Sequence, residues 1–150
     1  ILGNNTFGKS TFVLSFIWCL YGESRFSRKD DILNKKIEAQ MKFGQQESAI
    51  VEVEFEDDNK VYTMTRTQVF TKGQNNVLNS DRSLAKLTYV TDKGETKSLG
   101  TSQATINEVI SAILPKDLSS FFFFEGEKNN EITRKDLGTS VRTLLGLEAF

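Results

Sequence analysis

One segment near the start of the chain combines glycine, lysine and serine in a spacing that suits phosphate chemistry. Residues 3–10 read Gly-Asn-Asn-Thr-Phe-Gly-Lys-Ser and satisfy the pattern GxxxxGK[ST]. They follow the apolar pair Ile1 and Leu2 and precede an apolar helical segment, which is the context that this pattern requires. In such a turn, successive backbone N–H groups converge on phosphate oxygens, and the start of the helix adds its positive dipole end. The segment therefore predicts a phosphate-binding loop.

The side chains at the end of this loop predict which phosphate compound is bound. Lys9 would place its ammonium against the β and γ phosphates of ATP, and Ser10 would supply its hydroxyl to Mg²⁺. Thr11 can add a further hydroxyl or backbone contact. The other residues expected to contact the nucleotide are Asn5, Thr6, Phe7 and Gly8. The alternative is a glycine-rich turn that only introduces a core helix and binds nothing.

Composition narrows the remaining classes of function. The chain has 150 residues, 38% of them hydrophobic, which is enough for one sizeable core in about one domain. The formal charge of −1 gives no basic balance typical of a self-sufficient nucleic-acid module. With no His and a single Cys, the chain offers no zinc site, disulfide or imidazole base, and Cys19 is interpreted as a small buried apolar residue. No membrane span or signal peptide is present, so we expect no membrane partner and a cytoplasmic location.

The elements that must position the loop begin with an apolar helix over residues 10–21, which we expect to lie buried between layers. Gly22 follows as a left-handed helix stop. The charged stretch 23–36 has few large apolar residues and is interpreted as a surface excursion. The helix thus links the loop to the core of the domain.

The middle of the chain predicts antiparallel β-structure. Apolar residues alternate with glutamates over 51–56, a polar turn follows at 57–59, and residues 61–67 form the return strand. A loop over 72–80 and a second strand pair, 83–90 with 96–99, complete this region. Helical periodicity then returns over 101–114 with Pro115 just beyond it. Further on, 121–124 suits a buried strand and 139–145 a short helix.

Four segments together resemble the head of SMC-like and SbcC-like ABC-type ATPases. The loop is followed by a helix that ends in Leu20-Tyr21-Gly22, as in that family, and the hairpin ending at residues 62–66 comes next. The block Phe-Phe-Phe-Phe-Glu-Gly-Glu-Lys at 121–128 and the tail Leu-Leu-Gly-Leu-Glu at 144–148 follow in the same order. Within the family, the 121–128 block is most similar to DndD, the SMC-like ATPase of DNA phosphorothioation systems, and to related bacterial defence ATPases.

The resemblance implies a fold and a way of working. Residues 1–150 would be the N-terminal lobe of an α/β P-loop NTPase (ABC-type) head with an antiparallel β subdomain. A coiled coil and a C-terminal lobe, with the signature motif and the Walker B acids, would lie outside this segment. Two such heads form a homodimer around ATP, hydrolyse it, and act on double-stranded DNA in DNA repair or bacterial antiphage defence. A nuclease or effector subunit is the expected partner.

Two positions depart from the family pattern. Family members usually carry Gly at the position of Thr6, where a Cβ restricts positive φ, so the local turn is expected to differ while binding is retained. Many SMC-like heads carry Gln at the position of Glu125, where it reaches Mg²⁺ and the attacking water. We expect Glu125 to act as a catalytic residue and as a hard oxygen ligand of the metal. The alternative is a solvated loop acid after a buried strand.

Other residues and functions stay open at this point. Arg66 could pair with an acid or approach the nucleotide, but a half-exposed surface arginine is the more common case. The basic cluster after the first helix could touch DNA phosphates, although a solvated loop explains it as well; its members are Arg25, Arg28, Lys29, Lys35 and Lys36. The main rival function is a non-hydrolysing module that holds ATP and docks a partner. A small-molecule kinase is disfavoured because the antiparallel β segment takes the place of a lid.

Overall fold

The computed structural model describes residues 9–26 and 29–119 of the 150-residue chain. Within these ranges the chain forms three α-helices and five strands. The helices are α1 (Lys9–Tyr21), α2 (Lys35–Gln40) and α3 (Gln103–Ile113). The strands are β1 (Gln46–Asp57), β2 (Lys60–Lys72), β3 (Leu78–Ser80), β4 (Leu84–Val90) and β5 (Thr96–Ser98). The predicted strand at 121–124 and helix at 139–145 lie outside the described residues.

A long hairpin forms the centre of the molecule. Strands β1 and β2 pair antiparallel from Gln46 opposite Thr71 to Asp57 opposite Lys60. Asp58 and Asn59 connect them with φ angles of 46° and 57°, which is the two-residue turn with two positive φ angles that matches strand twist. Polar residues with short side chains tolerate this conformation, so the polar turn predicted at this place is confirmed.

The remaining strands complete a five-stranded sheet in which every described pair is antiparallel. One edge of β2 pairs with β4 along its first half and with β3 near its end. Strand β5 pairs with β4 across the turn at 92–94. The prediction of antiparallel β-structure in the middle of the chain is therefore confirmed, and the sheet with its helices gives the mixed α/β fold that was expected.

Helices α1 and α3 cover one face of the sheet. The alternation in β1 directs Val53 into the core, whereas the neighbouring glutamates are exposed. The central cluster joins this face to the two helices and contains Cys19, Leu20, Val53, Tyr62, Met64, Ala85, Leu87, Ile106 and Ile110. Burial of this apolar surface is the main force that holds α1 in place.

A second, smaller cluster fixes the segment between α1 and the hairpin. Leu33, Met41 and Phe70 are buried against one another beside β2. Helix α2 begins at Asn34, whose side chain accepts a hydrogen bond from the backbone N–H of Lys36 at 2.9 Å. The stretch expected to be a surface excursion is thus anchored by Leu33.

Two expectations about these elements need correction. The predicted loop over 72–80 contains β3, because its last residues pair with the end of β2. Helix α1 was expected to be buried through its apolar residues from Phe12 onward, but Phe12 is 50% exposed, next to the exposed Ser10 and Thr11. From Leu14 onward, burial dominates.

Candidate functional site

The N-terminal end of α1 has the character of an anion site. The helix begins at Lys9, directly after the glycine-rich loop, and no acidic residue lies in its first turn. Unpaired backbone N–H groups and the helix dipole make this end positive. Ser10 and Thr11 expose their side chains here. The end of the helix therefore presents amides and two hydroxyls to a negatively charged group.

Several of the predicted site residues cannot be placed. Asn5, Thr6, Phe7, Gly8 and Glu125 lie outside the described residues, as does the side chain of Lys9. Ser10 and Thr11 are brought together on the first turn of α1 as expected. Their roles toward Mg²⁺ and ATP, and that of Glu125, stay predictions.

The first turn of α1 is also supported by local contacts. Phe12 meets Phe16 edge to face, with ring centroids 4.9 Å apart. The hydroxyl of Ser15 donates to the backbone carbonyl of Phe12 at 2.6 Å. These contacts stabilise the first turn without covering Ser10 and Thr11, which stay exposed.

The C-terminal end of α1 is closed by a buried arginine. Arg66 lies on the inner face of β2 and is 1% exposed. Its Nε donates to the carbonyl of Cys19 at 2.9 Å, and its Nη1 donates to Ser83 Oγ and Gln103 Oε1, each at 3.3 Å. The last turn of α1 contains no basic residue of its own, so Arg66 supplies the cation that this negative helix end favours.

The expectation of a half-exposed Arg66 is therefore wrong. Position 66 pairs with Val51, two residues along each strand from the pair formed by Val53 and Met64, so it shares their inward direction. The alternation of β2 carried this signal, which the charge of the residue obscured. The contact of Arg66 with Cys19 is also about 13 Å of helix away from Ser10.

Gly22 is required by this arrangement. It ends α1 with φ +72° and its N–H donates to the carbonyl of Trp18 at 2.9 Å, which confirms the predicted left-handed stop. A Cβ at this position would lie 3.0 Å from Arg66 Nη1 and 3.2 Å from Cζ. The guanidinium thus packs against the bare glycine, which gives the Leu-Tyr-Gly ending of the helix a physical reason.

Burial shifts the pKa values of Arg66 and Cys19 at this end of α1. Desolvation lowers the pKa of Arg66 below its ordinary value, although an arginine stays charged. Desolvation also raises the pKa of the Cys19 thiol to about 11, an effect that nearby Arg66 partly offsets. The single S–H of the thiol lies within hydrogen-bonding distance of two carbonyls, that of Val51 at 3.3 Å and that of Met64 at 3.4 Å. Cys19 is therefore a buried, protonated residue, which confirms its interpretation from sequence as a small buried residue.

Two members of the basic cluster after α1 pair with nearby acids. Lys35 lies 2.9 Å from Asp31 and 3.1 Å from Glu38, and its hydrogen bonds with these acids raise its pKa. Arg25 lies 3.8 Å from Glu23 and donates to Ser119 at 3.5 Å. Arg28 and the side chain of Lys29 lie outside the described residues. For Arg25 and Lys35, these pairings favour the solvated-surface interpretation over a contact with DNA phosphates.

Metal ligands do not gather within the part of the chain that the structure describes. Across residues 9–26 and 29–119, no group of three or more Cys, Asp or Glu side chains could hold an ion. In the same ranges, no helix is long and apolar enough to cross a bilayer. A metal held by Ser10 and Glu125 would bring together two elements distant in sequence.

Comparison with known proteins decides the family. A sequence model described as an AAA domain matches residues 1–146, which is nearly the whole chain. The chain belongs to the AAA domain family. No curated protein matches it significantly. Membership supports an ATPase of the SMC-like and SbcC-like kind, as the resemblance implied. An AAA domain also implies that a nucleotide is used, usually with Mg²⁺, and the open positive end of α1 fits such a ligand.

Proposed function

We propose that this AAA domain is the ATP-binding and ATP-hydrolysing N-terminal lobe of an SMC-like ATPase head. One observation carries the proposal: the GxxxxGKS loop leads directly into α1, whose first turn exposes Ser10 and Thr11 and contains no acid. This end is open to an anion while the rest of the helix is fixed in the core. The phosphates of ATP have the charge that this end favours.

Each residue has a stated role in the proposal. The amides of residues 5–8 and the ammonium of Lys9 bind the phosphate oxygens, and Ser10 provides a hydroxyl ligand for the metal. Glu125 provides a carboxylate that orients the attacking water and contacts the same ion. Bound Mg²⁺ would neutralise the charge that develops on the transferred phosphoryl group. Closure of the site depends on the signature motif and Walker B acids of a C-terminal lobe.

The binding step is tested by replacing Lys9 in the full-length protein. Loss of a charge-assisted contact to phosphate should weaken ATP affinity by at least about tenfold in Lys9→Ala. Lys36→Ala is the matched control, because Lys36 is an exposed lysine on α2. Equilibrium binding of a fluorescent ATP analogue gives both values. Equal affinity in Lys9→Ala and the parent protein would refute the loop assignment.

Hydrolysis is tested separately from binding. Glu125→Gln should leave ATP affinity largely intact and should slow or preserve the steady-state ATPase rate measured with duplex DNA. A complete loss of ATP binding in this variant would contradict the role given to Glu125. A parent protein that binds ATP but never turns it over would instead be the non-hydrolysing module that docks a nuclease or effector.

The wider assembly rests on the resemblance alone. The 121–128 block supports a DndD-type subfamily, and with it an ATP-dependent homodimer in the cytoplasm that acts on duplex DNA in antiphage defence or repair. Light scattering with and without ATP and Mg²⁺ tests the dimer, and Lys9→Ala should remain monomeric under both conditions. Dimers that form equally without nucleotide would contradict this part of the proposal.

A further inference from the structure

A second concave site lies at the other end of α1 from Ser10. It is an open cavity of about 410 Å³ where α1 ends, β4 begins and α3 begins. We refer to it as the Arg66 cavity. Its polar lining consists of Arg66, Arg82, Ser83, Thr101, Gln103 and Asn107. None of the described residues that line it is an Asp or Glu.

The charge of Arg66 is incompletely compensated. No carboxylate among the described residues forms an ion pair with it, and its buried Nη2 has no hydrogen-bond partner. The C-terminal end of α1 offsets roughly half of an elementary charge. Part of the positive charge therefore remains beneath the floor of the cavity.

A second source of positive potential faces the same space. Helix α3 begins at its wall with the cap residue Ser102, whose side chain makes no capping hydrogen bond, and no acid lies in its first turn. Its free N–H groups act as roughly half of a positive charge. Arg82, exposed at the rim, adds a full one.

Hydrogen-bond donors are available as well as charge. Ser83 accepts from Arg66 Nη1 through its oxygen, which leaves its own O–H free to donate to a ligand. Thr101 and Gln103, the first residue of α3, line the same cavity and add further donors. A tetrahedral or planar group with several acceptor oxygens can use these donors together.

We propose that the Arg66 cavity is a binding site for an oxyanion, namely a phosphate or carboxylate group. A buried arginine with an unpartnered nitrogen, the start of α3 and a surface arginine all direct positive potential into it, and no described acid neutralises it. The site lies about 13 Å of helix away from Ser10 and is proposed independently of the triphosphate loop.

The test is a titration read at single backbone amides. The full chain, labelled with ¹⁵N, is titrated with sodium phosphate in one series and sodium acetate in another, with sodium chloride keeping ionic strength constant. Saturable shifts are expected at the amides of Ser83, Thr101 and Gln103. The series that saturates at the lower concentration identifies the phosphate or the carboxylate source. Shifts of the Ser10 amide measure anion binding at the triphosphate loop. Absence of binding at one site can therefore be distinguished from absence of binding at the other.

Two matched variants make the result specific. Arg82→Gln should weaken binding at the Arg66 cavity about two- to fivefold, since Arg82 is an exposed charge at its rim. Lys86→Gln removes the same charge from the outer face of β4 and should leave binding unchanged. The proposal is overturned if neither anion gives saturable shifts at the three amides, or if the two variants weaken binding equally.

Discussion

The two ends of α1 differ in exposure: the N-terminal end is exposed and the C-terminal end is buried. At the N-terminal end, Ser10 and Thr11 are exposed and no described side chain with a negative charge lies in the first turn. At the C-terminal end, Arg66 is 1% exposed and donates to the carbonyl of Cys19. At the first end two hydroxyls are exposed, whereas at the second the carbonyl of Cys19 is satisfied by the protein itself.

The proposed role of the N-terminal end is to bind a ligand, whereas the C-terminal end fixes the helix to the sheet. An anion-binding end must keep its amides free, so it contributes little to stability before the ligand arrives. The closed end can use a buried cation and a bare glycine, because nothing has to enter there between Arg66 and Gly22. Substitutions at the two ends should therefore affect different measurements.

The largest effect on stability is expected at the closed end. Arg66→Met keeps an unbranched apolar stem but removes the guanidinium and with it the donors to Cys19, Ser83 and Gln103, so the free energy of unfolding should fall by about 3 kcal/mol. Arg82→Met is the control, and an exposed position should change stability by less than about 0.5 kcal/mol. Urea unfolding provides both values. Equal stabilities would show that Arg66 does not secure α1.

The unfolding free energy should also depend on pH through Cys19 at the same end of α1. Burial raises the pKa of Cys19 to about 11, above its value in the unfolded chain, so folding favours the protonated thiol. The resulting stability is complete below about pH 9 and is lost as pH rises toward 11, with a change on the order of 2 kcal/mol. Cys19→Ala should lack this component when its urea unfolding is compared with that of the parent protein between pH 8 and 11. Parallel curves for the two proteins would rule it out.

A smaller effect isolates the contact between Gly22 and Arg66. Gly22→Ala and Gly94→Ala each place a Cβ at positive φ, +72° and +77°, which costs about 1–2 kcal/mol. Only at Gly22 does that Cβ also meet a neighbour, 3.0 Å away, whereas nothing lies within 4 Å at Gly94. Gly22→Ala should therefore unfold at lower temperature, with roughly 1 kcal/mol of extra destabilisation. The same loss at both positions would mean that the guanidinium moves aside freely.

The smallest change in stability is expected at the open end. Ser10→Ala removes an exposed hydroxyl from the first turn of α1, so the unfolding free energy without ligand should change by less than about 0.5 kcal/mol. ATP affinity in the presence of Mg²⁺ should fall, and the loss should shrink when Mg²⁺ is left out. A Ser10→Ala protein that is markedly unstable without nucleotide would place this end in the core instead.

Much of the fold could be predicted from local patterns in the sequence. The alternation at 51–56 and the polar turn after it predicted the β1–β2 hairpin, and Gly22 marked the end of α1 because only glycine is comfortable at its positive φ. Helix α3 followed from its apolar spacing and from Pro115 beyond it. The exposure of Phe12 was not predicted, since the apolar composition of the helix after Thr11 suggested burial on every side.

The remaining differences come from contacts distant in sequence. Helix α2 has no buried residue and so lacks an apolar period. Strand β3 exists because it pairs with the end of β2. The burial of Arg66 depends on acceptors at Cys19, Ser83 and Gln103, which the fold brings together from three elements. No local pattern of residues contains that information.

The contrast between the ends of α1 is tested most directly by the stabilisation that ATP and Mg²⁺ confer on folding. At a ligand concentration about 100 times the dissociation constant of the parent protein, the unfolding free energy should rise by about 2.7 kcal/mol. Arg66→Met should start from lower stability and show the same rise, whereas Lys9→Ala should start from normal stability and show a much smaller one. The same rise in Lys9→Ala as in the parent protein would contradict the account.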